Sequence, residues 1–179
     1  MIRRVQRWLM RRRLMKRLPS LGGVERIVVM CTANRVRSPF AGKVLERLLP
    51  EGITVVSRGV LDSGHPCPPE AVTTAQKFDV DLSAHRSVAV ASQELLHADL
   101  VLTMELRMAH ELVVRYPGLS TKIAPLGAFD PHHYGLYDIE DPYLLPPSEY
   151  QHSYALIARC CEELAGALRD ERGRRPAVA

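Results

Sequence analysis

Short apolar segments alternate with segments of helical periodicity from Glu25 onward, and this alternation constrains the fold more than any other feature of the sequence. Four apolar segments are predicted to be strands, at 26–30, 53–57, 99–103 and 122–126. Helices are predicted at 39–48, 70–78 and 105–116, and a long last helix is predicted after Ser148. Strands that alternate with helices form parallel sheets covered on both faces. The sequence therefore predicts an α/β fold with three layers, α/β/α, around a four-stranded parallel sheet.

The last predicted helix carries the clearest pattern. Ser148 and Gln151 have the spacing of a capping box at its start. One apolar stripe then steps by four and three residues through Tyr150, Tyr154, Ile157, Cys161, Leu164 and Leu168. Such a stripe indicates a long helix with one face against the core.

Composition excludes several classes of protein. Of the 179 residues, 46% are hydrophobic and 25% are charged, which argues against a disordered, fibrous or disulfide-stapled chain. No apolar run is long enough to span a bilayer. Four cysteines without a signal-peptide pattern are typical of a reduced protein. We therefore expect a cytoplasmic protein with one domain at 24–172 and a C-terminal tail at 173–179.

Basic residues are concentrated in an N-terminal arm. Residues 1–22 contain eight of the 24 basic residues and none of the 20 acidic ones, so acidic residues outnumber basic ones in the rest of the chain. This distribution argues against nucleic-acid binding by the domain. Residues 1–23 are predicted to be a flexible basic extension. Alternatively, Met1 is an upstream start codon, and Met10 or Met15 is the true start. The alternative is an arm that folds on an anionic membrane or an acidic partner.

The loop after the first predicted strand has the composition of a phosphate-binding site. It reads Cys31-Thr32-Ala33-Asn34-Arg35-Val36-Arg37-Ser38-Pro39 and leads into a helix. The five backbone N–H groups between Cys31 and Arg37 can form an anion-binding nest, and the helix N-terminus adds unpaired donors. The planar guanidinium of Arg37 can bind two phosphate oxygens.

Cys31 is a candidate nucleophile in this loop. The positive surroundings favour its thiolate, and the hydroxyl of Ser38 can donate a hydrogen bond to it. Ser38 and Pro39 also have the order of an N-cap followed by the first helical residue. The structural alternative, in which Cys31 only fills the core and Arg37 only solvates the surface, does not account for the whole pattern.

Asp141 is the candidate acid. Attack on a phosphate monoester requires a group that protonates the departing oxygen. Asp141 lies between the fourth strand and the last helix, at the sheet edge where the Cys31 loop is expected. Pro142 stiffens this segment, and Tyr143 can form an aromatic wall. A simple Asp-Pro turn is the alternative interpretation.

The segments 31–39 and 141–143 together resemble the low-molecular-weight protein tyrosine phosphatase family, and the resemblance extends over residues 26–170. The stretches 81–87, DLSAHRS, and 98–105, ADLVLTME, are similar to two further family motifs. Glu105 resembles the bacterial branch associated with exopolysaccharide tyrosine autokinases.

The resemblance implies a role for each site residue. Cys31 would form a phosphocysteine, Arg37 would bind the phosphoryl group, and Asp141 would act first as acid and then as base. Asn34 and Ser38 would hold the loop and the thiolate, while the backbone of 32–36 would bind phosphate. The ring of Tyr143 would flank the substrate, and His85 and Glu105 would support the loop and Arg37.

No metal or cofactor is implied, because arginine and amides supply the positive charge. The remaining candidates for a metal site, Asp130, His132 and His133, have no typical ligand spacing, and we expect a surface loop there.

The resemblance also implies an activity: hydrolysis of phosphotyrosine on a protein substrate, opposing a bacterial tyrosine kinase in exopolysaccharide control. The alternatives are a phosphoarginine phosphatase, an arsenate reductase or a catalytically silent phosphate-binding module.

Three residues depart from the family pattern. Alanine replaces the usual glycine at Ala33, which would be strained if its φ were positive. Val36 replaces a cysteine, so a protective disulfide at that position is lost, and Cys67 is a candidate substitute. Arg35 replaces an aliphatic residue or threonine. We hypothesise that Arg35 favours acidic or multiply phosphorylated substrates.

Overall fold

A computed structural model describes residues 21–130, 132 and 137–173. Within these residues the sheet has four strands: β1 (Arg26–Cys31), β2 (Thr54–Gly59), β3 (Leu100–Thr103) and β4 (Ile123–Pro125). The spatial order is β2-β1-β3-β4, and every neighbouring pair is parallel. The predicted α/β fold is confirmed. The carboxyl ends of the strands share one edge, which places the loops that follow β1 and β4 together.

Five α-helices lie within the described residues: α1 (Arg37–Leu48), α2 (Pro69–Gln76), α3 (Ser92–His97), α4 (Leu106–Arg115) and α5 (Pro147–Gly173). Side chains of β1 alternate between two cores. Ile27 and Val29 pack into the larger core with α1, α2 and α5, whereas Val28 and Met30 pack into a smaller core with α3 and α4. Helices therefore cover both faces of the sheet, as the alternating sequence predicts.

The apolar stripe of α5 is buried along its whole length, as predicted. The ring of Tyr154 stacks on Phe40 of α1, with centroids 3.9 Å apart. The predicted capping box is wrong, because α5 begins at Pro147 and Ser148 already lies within its first turn.

α3 was not predicted from the sequence. It has only six residues and is too short to show a helical period. Its start is held by Glu94, whose carboxylate accepts hydrogen bonds from the backbone N–H of Ala91 and from Arg58. The Arg58 hydrogen bond is the main cause that lowers the pKa of Glu94.

The predictions for the N-terminal arm concern residues that lie almost wholly outside the described part of the chain. The first element of the described residues is a short 3-10 helix, Leu21–Gly23, and Leu21 is buried in the larger core. The boundaries at 23/24 and 172/173 stay predictions. Among the described residues, no helix combines the length and apolarity that crossing a bilayer requires.

Candidate active site

The loop between β1 and α1 is short and tightly held. Cys31 ends β1, and α1 begins at Arg37, so residues 32–36 make the whole connection. Asn34 has a φ of 52°, in the left-handed region that asparagine tolerates better than most residues. Ala33 does not have a positive φ. The strain considered for alanine at this position therefore does not arise.

The sulfur of Cys31 is buried among hydrogen-bonding groups. Its Sγ lies 3.1 Å from Oγ of Ser38 and accepts a hydrogen bond of 3.2 Å from the backbone N–H of Asn34. Asn34 also donates its side-chain amide to the Ser38 hydroxyl at 2.9 Å. Such donors stabilise a thiolate at this position.

The role predicted for Ser38 as an N-cap is wrong. The helix starts two residues earlier than the sequence indicates, at Arg37, and Val36 is its N-cap residue. The Ser38 hydroxyl instead contacts the Cys31 sulfur and lies 3.2 Å from the carbonyl oxygen of Arg58. The hydroxyl that could cap the helix therefore contacts the thiol of Cys31.

One neighbouring segment, 85–88, holds Asn34 at two points. Its side-chain oxygen accepts a hydrogen bond from the backbone N–H of Val88, and its carbonyl oxygen lies 2.8 Å from Nε2 of His85. A carbonyl oxygen only accepts, so this contact requires a proton on Nε2. Burial lowers the pKa of His85, which favours the neutral ring.

The guanidinium of Arg37 connects the loop to two carboxylates. Arg37 is 1% exposed, and its Nη1 donates to Glu105 and to the carbonyl oxygen of Ile139, both at 2.8 Å. Its Nη2 donates to Oδ2 of Asp141 at 2.5 Å. Among the described residues, one buried side-chain nitrogen or oxygen lacks a hydrogen-bond partner, and that atom is Nε of Arg37. A buried donor of this kind suits an anion.

The segment that carries Asp141 forms one wall of the site. The second carboxylate oxygen of Asp141 accepts the backbone N–H of Tyr143 at 3.2 Å. Tyr143 is 45% exposed, and the guanidinium of Arg35 lies 5.5 Å from the centroid of its ring. The structure thus brings Cys31, Arg37 and Asp141, from two distant parts of the sequence, to one sheet edge.

Comparisons of the chain with known proteins point to one family. The family model described as low molecular weight phosphotyrosine protein phosphatase matches residues 26–174. The chain belongs to this family.

Relatives of the phosphatase family agree with the match. The probable low molecular weight protein-tyrosine-phosphatase EpsP of Ralstonia solanacearum is 31% identical over 137 residues, which cover 76% of this chain and 90% of EpsP. The structure of Vibrio vulnificus Wzb in complex with benzylphosphonate is 31% identical and has a TM-score of 0.71, over 80% of this chain and 99% of Wzb. The YwlE arginine phosphatase from Geobacillus stearothermophilus is 28% identical with a TM-score of 0.78, over 87% and 99%.

Sequence reasoning missed one glycine beside the candidate active site. A Cβ on Gly59 would lie 2.9 Å from backbone atoms of Ala33 and Asn34, so glycine allows the end of β2 to approach the loop. The predicted strand ends at residue 57, so Gly59 did not stand out as a strand glycine, which often marks a close backbone contact.

A second missed residue is Tyr154 of α5. Its hydroxyl donates to the carbonyl oxygen of Val36 at 3.2 Å. The apolar stripe predicts its burial but not this polar contact.

Cys67 and Asp130, two further candidates from the sequence, belong to other segments of the chain. Cys67 is a free, buried thiol, and burial raises its pKa to about 11, which disfavours the thiolate. Asp130 accepts two hydrogen bonds from Arg159, at 3.0 and 3.1 Å. Within the described part of the chain, no group of three or more His, Cys, Asp or Glu residues is arranged to hold a metal ion.

Proposed function

We propose that this chain hydrolyses phosphotyrosine on protein substrates through a phosphocysteine intermediate. The observation that carries the proposal is that the loop 32–36 joins the buried Cys31 sulfur to Arg37, whose buried guanidinium holds the carboxyl group of Asp141. Membership of the phosphatase family and the names of the relatives support the same reaction class.

The first step is transfer of the phosphoryl group to sulfur. The thiolate of Cys31 attacks phosphorus, the S–P bond forms, and the bond from phosphorus to the tyrosyl oxygen breaks. Asp141 gives its proton to that oxygen, so tyrosine leaves neutral. The N–H groups of residues 32–36 and the guanidinium of Arg37 stabilise the charge on the phosphoryl oxygens.

The second step returns the enzyme to its starting state. Asp141, now a carboxylate, takes a proton from water while the water oxygen attacks phosphorus. The S–P bond breaks, inorganic phosphate leaves, and the Cys31 thiolate is regenerated. The hydroxyl of Ser38 and the N–H of Asn34 stabilise this leaving thiolate, because both contact the sulfur.

Glu105 and His85 are positioning residues in this scheme. Glu105 and the carbonyl oxygen of Ile139 hold Nη1 of Arg37, so the guanidinium plane is set before substrate binds. His85 holds the carbonyl oxygen of Asn34, the residue with the positive φ. Preorganisation of this kind reduces the cost of assembling the site during the reaction.

The substrate is proposed to be a phosphotyrosine protein of a bacterial tyrosine-kinase system that controls exopolysaccharide. The exposed ring of Tyr143 beside the acid provides an apolar surface for the substrate ring. The resemblance of Glu105 to the exopolysaccharide-associated branch supports the pathway. For the basic arm, we propose binding to an anionic membrane or an acidic partner.

Turnover of p-nitrophenyl phosphate by the wild type and by Cys31→Ser tests the proposal. We expect hydrolysis by the wild type and a loss of several orders of magnitude in the variant, because a hydroxyl is a far weaker nucleophile. Equal rates would contradict the mechanism, and an inactive wild type would indicate a silent phosphate-binding module.

A peptide panel then tests the substrate class. Phosphotyrosine and phosphoarginine peptides of matched sequence are compared by kcat/KM. Preference for phosphoarginine would favour the activity named for YwlE. Arsenate reduction requires a second reactive cysteine, and Cys67 is buried with a raised pKa.

A further inference from the structure

Two arginines flank one short segment at the rim of the candidate active site. Nε of Arg35 donates to the carbonyl oxygen of Pro66 at 2.9 Å. Pro66 also forms an antiparallel bridge with Arg86, which belongs to the segment that carries His85. The two arginines, separated by 51 positions in the sequence, therefore meet the same residue, Arg35 through its guanidinium and Arg86 through its backbone.

Both guanidinium groups are held by groups that leave their charge uncompensated. The guanidinium of Arg35 lies over the ring of Tyr143, and Nη1 of Arg86 donates to the carbonyl oxygens of His85, at 2.8 Å, and Ser83, at 3.4 Å. Among the described residues, neither arginine forms an ion pair with a carboxylate. Carbonyl oxygens and a ring orient a cation without neutralising it.

The buried thiol of Cys67 reports the field of these cations. Burial raises its pKa to about 11, and the charges of Arg35 and Arg86 act in the opposite direction. Positive potential therefore reaches the 66–67 segment from both arginines. The carboxyl groups of Asp141 and Glu105 at the site both accept hydrogen bonds from Arg37.

We propose that Arg35 and Arg86 form an anion subsite, which binds a carboxylate or a second phosphate on the substrate protein next to the phosphotyrosine being cleaved. Arg35 belongs to the phosphate loop and contacts Tyr143, so an anion bound to it lies beside the expected path of the substrate ring. The subsite rests on the proposed function, and it selects clustered acidic or multiply phosphorylated tyrosine segments.

Three phosphotyrosine peptides of equal length test the subsite: one with neutral flanks, one with flanking aspartates and one with a second phosphotyrosine. The wild type is compared with Arg86→Gln, Arg86→Lys and the double variant Arg35→Gln/Arg86→Gln. Arg115→Gln is the matched control, because it removes one charge from an exposed arginine at the far end of α4. The readout is the ratio of kcat/KM for each anionic peptide to that for the neutral peptide.

We expect the wild-type ratio to exceed one and to fall by about two- to fivefold for each arginine removed, the range of exposed ion pairs. Arg86→Lys keeps most of the preference, and Arg115→Gln keeps all of it. Raising the salt from about 0.05 M to about 0.5 M reduces the wild-type preference, because screening weakens exposed pairs. Preference for either anionic peptide supports the subsite, and comparison of the two shows whether it binds carboxylate or phosphate.

A wild-type ratio of one, or a ratio that the double variant does not change, overturns the subsite. The neutral peptide separates this failure from failure of the proposed function. If it is hydrolysed without any preference for anionic flanks, only the subsite is wrong. If the wild type hydrolyses none of the peptides, both proposals fail.

Discussion

Arg37 and Asp141 share a contact that has to change during the proposed reaction. The guanidinium holds the carboxylate directly, whereas an acid must carry a proton to give one away. Phosphate that binds Arg37 competes for the same donor. Substrate binding would therefore release Asp141 from Arg37 for its first role.

Asp141→Asn tests that role at the level of one residue. We expect turnover of phenyl phosphate to fall by about 10²- to 10⁴-fold, the usual contribution of a general acid. Turnover of p-nitrophenyl phosphate should fall much less, because nitrophenolate leaves readily without a proton. Equal losses on both substrates would remove Asp141 from the role of acid.

His85 makes stability depend on pH. Its pKa in the folded protein lies below the ordinary value of 6.5, chiefly because burial disfavours the charged ring. As pH falls below about 6.5, the ring of His85 takes up a proton in the unfolded chain before it does so in the folded protein. The stability that the neutral ring contributes above this pH is therefore lost as pH falls through the pKa of the folded state. His85→Gln, which keeps an N–H donor for Asn34, should flatten that part of the profile. Urea unfolding at several pH values measures it, and parallel profiles for both proteins would contradict the prediction.

At the level of elements, the site depends on how closely β2 approaches the phosphate loop. Ser38 contacts the carbonyl oxygen of Arg58, and Gly59 packs against Ala33 and Asn34. The strand end thus forms a rigid support beneath the loop.

Gly59→Ala tests this support. The added methyl group meets backbone that cannot rotate away, so we expect a loss of about 1–3 kcal/mol in unfolding free energy together with a lower kcat/KM. Gly118→Ala is the control, because a Cβ there has no neighbour within 4 Å and the φ is not positive. A Gly59 variant as stable and active as this control would show that the loop tolerates displacement.

The elements differ in how far their sequences predict them. The strands and the stripe of α5 are visible because their periods are local and their apolar residues numerous. For Ser38 the sequence predicts both a helix cap and a contact with the Cys31 sulfur, because a hydroxyl near a helix start suits either, and the structure has only the contact with sulfur. The carbonyl oxygen of Ile139 and the N–H of Val88 were not predictable, because every residue carries these groups and only the tertiary fold selects them.

At the level of the whole molecule, charge is divided between the arm and the rest of the chain. Residues 1–22 hold eight basic residues, whereas acidic residues predominate from 23 onward. An anionic surface would therefore attract the arm and repel the domain.

Trp8, the one tryptophan of the sequence, reports on the arm in the full chain. We expect its fluorescence to shift to shorter wavelength when vesicles rich in anionic lipid are added, and the shift to disappear at high salt. Zwitterionic vesicles are the control. An unchanged spectrum with both kinds of vesicle would exclude membrane binding and leave an acidic protein as the proposed partner.

α5 contacts the chain on both sides of β1. Near its start, Tyr154 holds the carbonyl oxygen of Val36, and in its last turn Arg172 donates to the carbonyl oxygen of Val24 at 3.0 Å. Shortening the protein from its carboxyl terminus would therefore remove an anchor at the pole opposite to the chemistry. Truncation before Arg172 should loosen the entry into the first strand while the catalytic pole keeps its own anchor, so fusion partners are best attached beyond that residue.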